Sequence, residues 1–370
     1  MTDLFELADD LGPAKILHIY EPVVQLQAVL VVDNVALGPA LGGIRMAPDV
    51  TTEECFRLAR AMTLKNAAAG LPHGGGKVVL WGDPKMPKSD KERLIRALAC
   101  ALKGVQEYIM APDMGTDEEC MAWIKDEVHR VAGLPAVIGG IPLDEIGATG
   151  WGLRHATEVA LDYLDLKLKQ TQVVIQGFGA VGKHAARFLT KKKATLVGVA
   201  DSQGAVYNPE GLEVDELLKL KKGGASVVDY PRGDKFDREA VIDFPCDIWI
   251  PAARPDVINE DNVDRLKTRL VVEGANIPLT LGAEKILHDR GVLCVPDFIA
   301  NCGGVICAAL EYRGAAESQV FDVIEDKVRH NTRLVLEESQ RQNILPREAA
   351  MDLAVQRVKT AMSFKRWSIY

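Results

Sequence analysis

Two lysines and an aspartate stand in segments whose glycines and proline could set them up for chemistry. Lys65 lies in Met62-Thr63-Leu64-Lys65-Asn66-Ala67, Lys77 follows Gly74-Gly75-Gly76, and Asp113 sits in Ala111-Pro112-Asp113-Met114-Gly115-Thr116. The glycines before Lys77 carry no side chains and leave space beside it. A lysine in a partly desolvated pocket near a second cation has a lowered pKa and acts as a base at neutral pH. Plainer uses of the same residues are a snorkelling lysine at Lys65, a solvated loop lysine at Lys77 and a turn-capping aspartate at Asp113.

A second kind of chemistry is carried by Gly177-Phe178-Gly179-Ala180-Val181-Gly182. The motif follows the β-rich run Gln172–Gln176 and opens a helical stretch. Asp201 ends the next apolar run, twenty-four residues past Gly177. Glycines in that place let a pyrophosphate approach the backbone, and the helix N-terminus holds its charge. The acidic side chain then accepts hydrogen bonds from ribose hydroxyls. Asp201 would repel a 2′-phosphate, which favours NAD, while Ser202 beside it could host one, so NADP is not excluded.

The elements that must position these groups read as an α/β protein. Short apolar runs at 172–176, 195–200, 247–250, 269–273 and 292–295, with helical patterns between them, predict a doubly wound parallel sheet. Pro251-Ala252-Ala253 falls at the carboxyl end of one such strand, where this kind of sheet binds its ligand. Earlier in the chain, 26–32 reads as a strand broken by the glycine-rich stretch from Gly38. Thr51 to Glu54 start a helix that runs to Ala69, and Asp90 to Tyr108 read as another. The tail from Val320 to Phe364 is helical and broken near Asn343–Pro346. It has no sheet of its own to cover, so it is expected to pack back on the first domain and to support a homo-oligomer. The domain expectation is residues 1–142 plus 330–370 for substrate binding and oligomerisation, and 143–329 for the dinucleotide.

Composition excludes several classes. The 370 residues carry 44 Lys plus Arg against 52 Asp plus Glu, a net charge of −8 that is poor footing for a nucleic acid. Seven cysteines without a CxxC pair, and seven histidines without ligand spacing, argue against a metal site or a disulfide framework. No basic-then-apolar leader and no membrane-length apolar run is present, so the expected location is cytoplasmic.

Six ordered motifs resemble the amino-acid dehydrogenases that act on glutamate, leucine, valine and phenylalanine. They are Gly38-Pro39-Ala40-Leu41-Gly42-Gly43-Ile44-Arg45, Lys65-Asn66-Ala67 with Gly74 to Lys77, Ala111 to Thr116, Gly177 to Gly182, Gly274-Ala275-Asn276, and Pro296-Asp297 through Gly303-Gly304-Val305. The resemblance implies reversible oxidative deamination of an L-amino acid to a 2-oxo acid and ammonia. It places Lys65 on the substrate α-carboxylate, Lys77 as the catalytic lysine and Asp113 as its proton-relaying partner. Asn276 becomes a polar contact of substrate and cofactor, and Thr149 a neighbour of the nicotinamide amide. Gly177, Gly179, Ala180, Val181, Gly182, Asp201, Ser202, Ala252 and Ala253 complete the dinucleotide site. A lysine base would activate water to attack the iminium left after hydride loss, and its ammonium form would stabilise the developing charge.

Side-chain specificity is read from Leu41, Gly43, Ala111, Val305 and Ala308. Glutamate enzymes place a lysine where this chain has Leu41 and a serine where it has Ala308. Burying a carboxylate against Leu and Ala without a partner costs several kcal/mol. The expectation is therefore an apolar substrate, of the leucine, valine or isoleucine kind and with room for phenylalanine or methionine. Glutamate and a non-catalytic, ligand-sensing relative are the alternatives.

Overall fold

A computed structural model describes residues 4–364. Residues 1–3 and 365–370, which the domain expectation includes, lie outside the described residues. The chain divides into two compact units, one of Met1–Pro142, Val305–Val320 and Met351–Tyr370, the other of Leu143–Gly304 and Phe321–Ala350.

The first unit is built on five strands, β1 (Lys15–Glu21), β2 (Leu26–Asn34), β3 (Ala40–Ala47), β4 (Gly74–Trp81) and β5 (Tyr108–Pro112). Their order is β1-β2-β4-β3-β5. Helices α1 (Thr52–Ala68), α2 (Lys88–Ala101) and α3 (Glu118–Glu127) belong to the same unit. The start of α1 is set by Thr51, whose side chain accepts from the Glu54 amide at 3.0 Å, with Glu53 and Glu54 favourably placed in the first turn. Leu30, Val32, Ile44, Val78, Leu80, Ile95, Leu98 and Ile124 form the core.

Two expectations are corrected here. The strand from Leu26 does break before the stretch at Gly38, and β3 starts at Ala40, but Gly74 to Lys77, open to reading as a solvated loop, form the buried start of β4. The glycines are there for close approach, since a β-carbon on Gly75 would lie 2.0 Å from the Thr63 amide nitrogen of α1. The second helix stops at Ala101, and Tyr108 begins β5. Tyr108 is buried with its hydroxyl donating to the Gly42 carbonyl at 2.7 Å, a tertiary demand that overrides local pattern.

In the second unit, α4 (Leu143–Ile146) and α5 (Ala148–Asp162) precede β6 (Gln172–Gln176), α6 (Ala180–Thr190), β7 (Thr195–Ala200), β8 (Ala205–Tyr207), α7 (Val214–Lys222) and β9 (Asp234–Phe236). Then follow β10 (Ile248–Pro251), β11 (Leu270–Val272), α8 (Leu281–Asp289), β12 (Leu293–Val295) and α9 (Asp297–Ala300). The strand order is β12-β11-β10-β6-β7-β8-β9. Pairing is parallel from β12 to β7, and β8 and β9 add an antiparallel edge. The order of the parallel strands reverses between β6 and β10, and such a reversal opens a crevice at the strands' carboxyl ends.

Three more helices follow, α10 (Gly303–Tyr312), α11 (Val320–Gln342) and α12 (Pro346–Phe364). The division of this region differs from a break at residue 330. Phe321–Ala350 belongs with the second unit, where the Trp151 indole donates to the Phe321 carbonyl at 2.9 Å and Arg347 meets Glu273, Glu284 and Asp297. Val305–Val320 belongs with the first unit. There buried Glu311 accepts from the amides of Gly133, Leu134 and Ile141 at 2.7, 3.0 and 2.8 Å. Glu311→Ala strands three amides, so the first unit should lose about 3 kcal/mol or more. A melting transition unchanged within a degree would contradict that role.

All seven cysteines are free, and Cys302 and Cys307 are fully buried, as small apolar side chains are. No described helix is long and apolar enough to cross a membrane.

Candidate active site

In the first unit the sheet brings Lys77 and Asp113 together. Lys77, on β4 and opposite Val31 of β2, is buried, and its Nζ lies 2.6 Å from Asp113 Oδ2. Asp113 directly follows β5, where its amide donates to Thr116 Oγ1 at 3.0 Å while the Thr116 hydroxyl donates to the Ile44 carbonyl at 2.8 Å. Lys77 is thus a buried strand lysine, and the group seen against it is an anion. Burial alone would raise the Asp113 carboxyl. The charge and hydrogen bond of Lys77, with the charge of Arg45, outweigh it and hold the group below the usual carboxylate range.

Arg45 was legible only as the end of a motif, with no role attached. Its Nε lies 3.1 Å from the same Asp113 oxygen that meets Lys77, and its Nη1 lies 2.7 Å from Glu54 Oε1. The clue was its place on β3, beside the strand that delivers Asp113.

The other predicted residues of this unit lie around that pair. Leu41 is buried on β3 opposite Gly75, and Gly43 pairs with Ala111 of β5. A β-carbon on Gly43 would sit 2.7 Å from Cβ of Asp113, so only glycine lets the carboxylate in so close. Lys65 is half-buried in the last turn of α1. That turn is held by Arg357 of α12, which donates to the carbonyls of Ala67 and Ala68 at 3.0 and 2.8 Å. Val305 and Ala308 are three apart on α10, on one face of the helix.

In the second unit the dinucleotide motif occupies the crevice between β6 and β10. Gly177 has φ +98°, and a β-carbon there would come 2.8 Å from Cβ of Ala253 and 2.9 Å from the Ala252 carbonyl. A β-carbon on Gly182 would strike the Gly177 carbonyl oxygen at 1.9 Å. Gly179 is exposed with nothing near its α-carbon face, and no side chain caps α6 behind it. Such a bare, glycine-walled helix start fits a pyrophosphate, with Ala180 and Val181 in its first turn. Thr149 on α5 lies beside Gly304, where a β-carbon would sit 3.2 Å from its Oγ1.

Asp201 differs from the simple picture of a ribose acceptor. It is met by Lys221 Nζ at 2.7 Å, Ser226 Oγ at 2.8 Å and the Val227 amide at 3.0 Å, and it also accepts from the Gln203 amide at 2.9 Å. Burial would raise its pKa, but these donors, Lys221 first, hold it below the usual range. Its charge is therefore balanced within the protein. Ser202 beside it is exposed.

Asn276 is exposed on the loop after β11, with its Oδ1 accepting from Asn301 Nδ2 at 3.1 Å. Beneath the loop lies a cluster the sequence did not disclose. Arg347 meets Glu273 at 2.7 Å, Glu284 at 2.6 Å and Asp297 at 2.9 Å. Asp297 also accepts from the Ile277 amide at 2.9 Å, next to Asn276. Full burial, and the neighbouring carboxylates, push the Glu273 carboxyl well above its usual value despite Arg347. No grouping of His, Cys, Asp and Glu suited to a metal occurs among the described residues.

Known proteins match this arrangement along most of the chain. Residues 20–130 match the Glu/Leu/Phe/Val dehydrogenase dimerisation domain, and residues 139–366 match the Glutamate/Leucine/Phenylalanine/Valine dehydrogenase family. Glutamate dehydrogenase of Aeropyrum pernix is 38% identical over 358 residues, covering 90% of this chain and 85% of that protein. The Thermotoga maritima glutamate dehydrogenase is 39% identical over 357 residues, covering 91% and 85%. Relatives at 36% identity are named NADP-specific in Saccharolobus shibatae and NAD-specific in Halobacterium salinarum. Among solved structures, the hetero-hexameric glutamate dehydrogenase of Thermus thermophilus, in a Leu-bound form, superposes with a TM-score of 0.84 at 31% identity, covering 96% of this chain and 91% of that one.

These relatives overturn the apolar-substrate expectation. Proteins named for glutamate, at 36–39% identity, align along about nine-tenths of the chain, whereas that expectation leaned on Leu41 and Ala308. A particular closeness to leucine or valine dehydrogenases is likewise not supported. With both halves of the chain matched, the protein belongs to the Glu/Leu/Phe/Val dehydrogenase family and is an amino-acid dehydrogenase.

Proposed function

We propose that the protein catalyses the reversible, nicotinamide-dependent oxidative deamination of L-glutamate to 2-oxoglutarate and ammonia. The observation that carries the catalytic assignment is the buried 2.6 Å contact between Lys77 and Asp113. The names of the relatives support glutamate as the substrate. The first unit is assigned to the amino acid and to assembly, the second to the dinucleotide. A homo-oligomer in the cytoplasm fits the dimerisation-domain match and the seven free cysteines.

The division of labour follows from the side chains. Lys65 supplies the positive charge for the α-carboxylate. Lys77 and Asp113 hold a proton between a nitrogen and an oxygen, so either can relay it to or from the amino group and the attacking water. Arg45 keeps Asp113 ionised and aimed at Lys77. Leu41, Gly43, Ala111, Val305 and Ala308 exclude water from the side-chain end of the substrate. When bound, the dinucleotide supplies the hydride acceptor, and Gly177 to Gly182, Ala252, Ala253, Thr149 and Asn276 are the residues assigned to hold it. NADH formation at 340 nm with glutamate, accompanied by ammonia release, tests this reading. Absence of both with glutamate would refute it.

The neutralised state of Asp201 favours use of NADP as well as NAD. Lys221→Met leaves the carboxylate without its cation and should lower the NADP-to-NAD ratio of kcat/KM roughly fivefold. An unchanged ratio would mean that Asp201 does not face the adenosine ribose.

A further inference from the structure

His73 is a buried imidazole that the assigned roles leave unused. It stands one position before β4, in phase with Gly75 and Lys77 by the two-residue period of a strand. Its Nδ1 lies 3.2 Å from the Pro39 carbonyl, at the foot of the strand that carries Leu41. Only 2% of the residue is exposed, and Nε2 is buried with no hydrogen-bond partner. A neutral imidazole that donates from Nδ1 offers a bare lone pair at Nε2, and a buried one left unmatched is costly.

The helix that faces it carries Val305 and Ala308, two of the residues assigned to the substrate pocket. Val305, Ala308 and Tyr312 are spaced i, i+3, i+7 along α10 and form one stripe. The His73 and Tyr312 rings meet edge to face with centroids 6.2 Å apart. Ala308 is one turn before Tyr312 and projects only a methyl group. The stripe assigned above to the substrate side chain therefore ends at the ring that meets the imidazole.

We propose that His73 receives the distal carboxylate of the substrate, at the far end of the pocket bordered by Leu41 and Ala308. This rests on the glutamate reading above. Binding takes up one proton from solvent onto Nε2, and the new N–H donates to a carboxylate oxygen. No covalent bond changes. Burial, and to a smaller extent the charge of Arg313, lower the free imidazole's pKa, although the Pro39 contact raises it. Among the described residues, Tyr312 and Arg313 from α10 are the titratable or charged groups that face it. The free group is thus neutral near pH 7, and the proton arrives with the carboxylate.

Norvaline has the carbon skeleton of glutamate with a methyl group in place of the distal carboxylate. The ratio of kcat/KM for glutamate over norvaline cancels the titration of groups common to both. In the unaltered enzyme this ratio should fall as pH rises from 6 to 8.5, approaching about tenfold per unit where one proton is taken up. His73→Leu should lower the ratio at least tenfold at pH 6.5 and remove its slope, and His73→Gln should give an intermediate, flat ratio. A flat ratio in the unaltered enzyme, or variants that keep both ratio and slope, overturns the role of His73 while leaving glutamate as the substrate. Norvaline outpacing glutamate at every pH in the unaltered enzyme overturns the glutamate reading, and this proposal with it.

Discussion

Lys77→Ala is expected to lower kcat by about a thousandfold, the range typical of a lost general base or acid. The side chain is buried in β4 and its nitrogen lies 2.6 Å from Asp113 Oδ2, the same oxygen that meets Arg45. Removing it takes away the charge that balances Asp113 and, in the proposed mechanism, the proton carrier. Asp113 would keep Arg45 but lose its proton partner, so Asp113→Asn should fall by a similar factor and the double variant by little more, because the two act as a unit. Binding of NADH, followed by fluorescence titration, should change less than threefold, since Lys77 belongs to the first unit and the glycine motif to the second. If Lys77→Ala retains turnover within tenfold of the unaltered enzyme, the proton-transfer role is wrong.

Arg347→Met is expected to have the largest effect on stability. The guanidinium is the shared cation of Glu273, Glu284 and Asp297, whose side chains are 0%, 4% and 8% exposed. Taking it away leaves three carboxyl groups buried against one another, a loss on the order of 3–5 kcal/mol. The pH dependence has a definite sign. Glu273 already binds its proton more tightly in the native state than in the unfolded chain, so its contribution is greatest at low pH and is lost as pH rises. Without the charge of Arg347, which lowers it, the Glu273 carboxyl shifts further in that direction. The deficit in melting temperature should therefore be smaller at pH 5 than at pH 8, as calorimetry of the second unit's transition would measure. A deficit that grows on acidification would mean that the cluster is not held by charge. Loss of the brace under Ile277 should also raise KM for the dinucleotide, with Arg347→Lys recovering part of it.

Much of the second unit was legible because parallel strands covered on both faces advertise themselves as continuous apolar runs. β6 and β7 fall at Gln172–Gln176 and Thr195–Ala200, matching those runs, and the glycine motif between β6 and α6 needs only local spacing. The first unit was harder. Gly74-Gly75-Gly76 reads as a loop until the backbone of α1 is seen pressed against it, and Tyr108 joins a helical pattern until its hydroxyl is seen buried on Gly42. Lys77 and Asp113 stand in recognisable motifs, but the role of Arg45 has no local signature, because its contact with Asp113 runs across two strands. Arg347 lies 74 residues from Glu273, and nothing local links them. Leu41 and Ala308, taken position by position, point toward apolar side chains. The relatives reverse that weighting, and His73, a histidine with no recognisable spacing, is where the missing charge is now sought.

The central claim is tested most directly by competition. Equal concentrations of 2-oxoglutarate and 4-methyl-2-oxopentanoate are given to the enzyme with ammonium and NADH, and the amino acids formed are separated and counted. The product ratio equals the ratio of kcat/KM for the two oxo acids, which is the quantity that defines specificity. Glutamate should predominate by at least tenfold, and more at pH 6.5 than at pH 8. Leucine in tenfold excess would contradict the account.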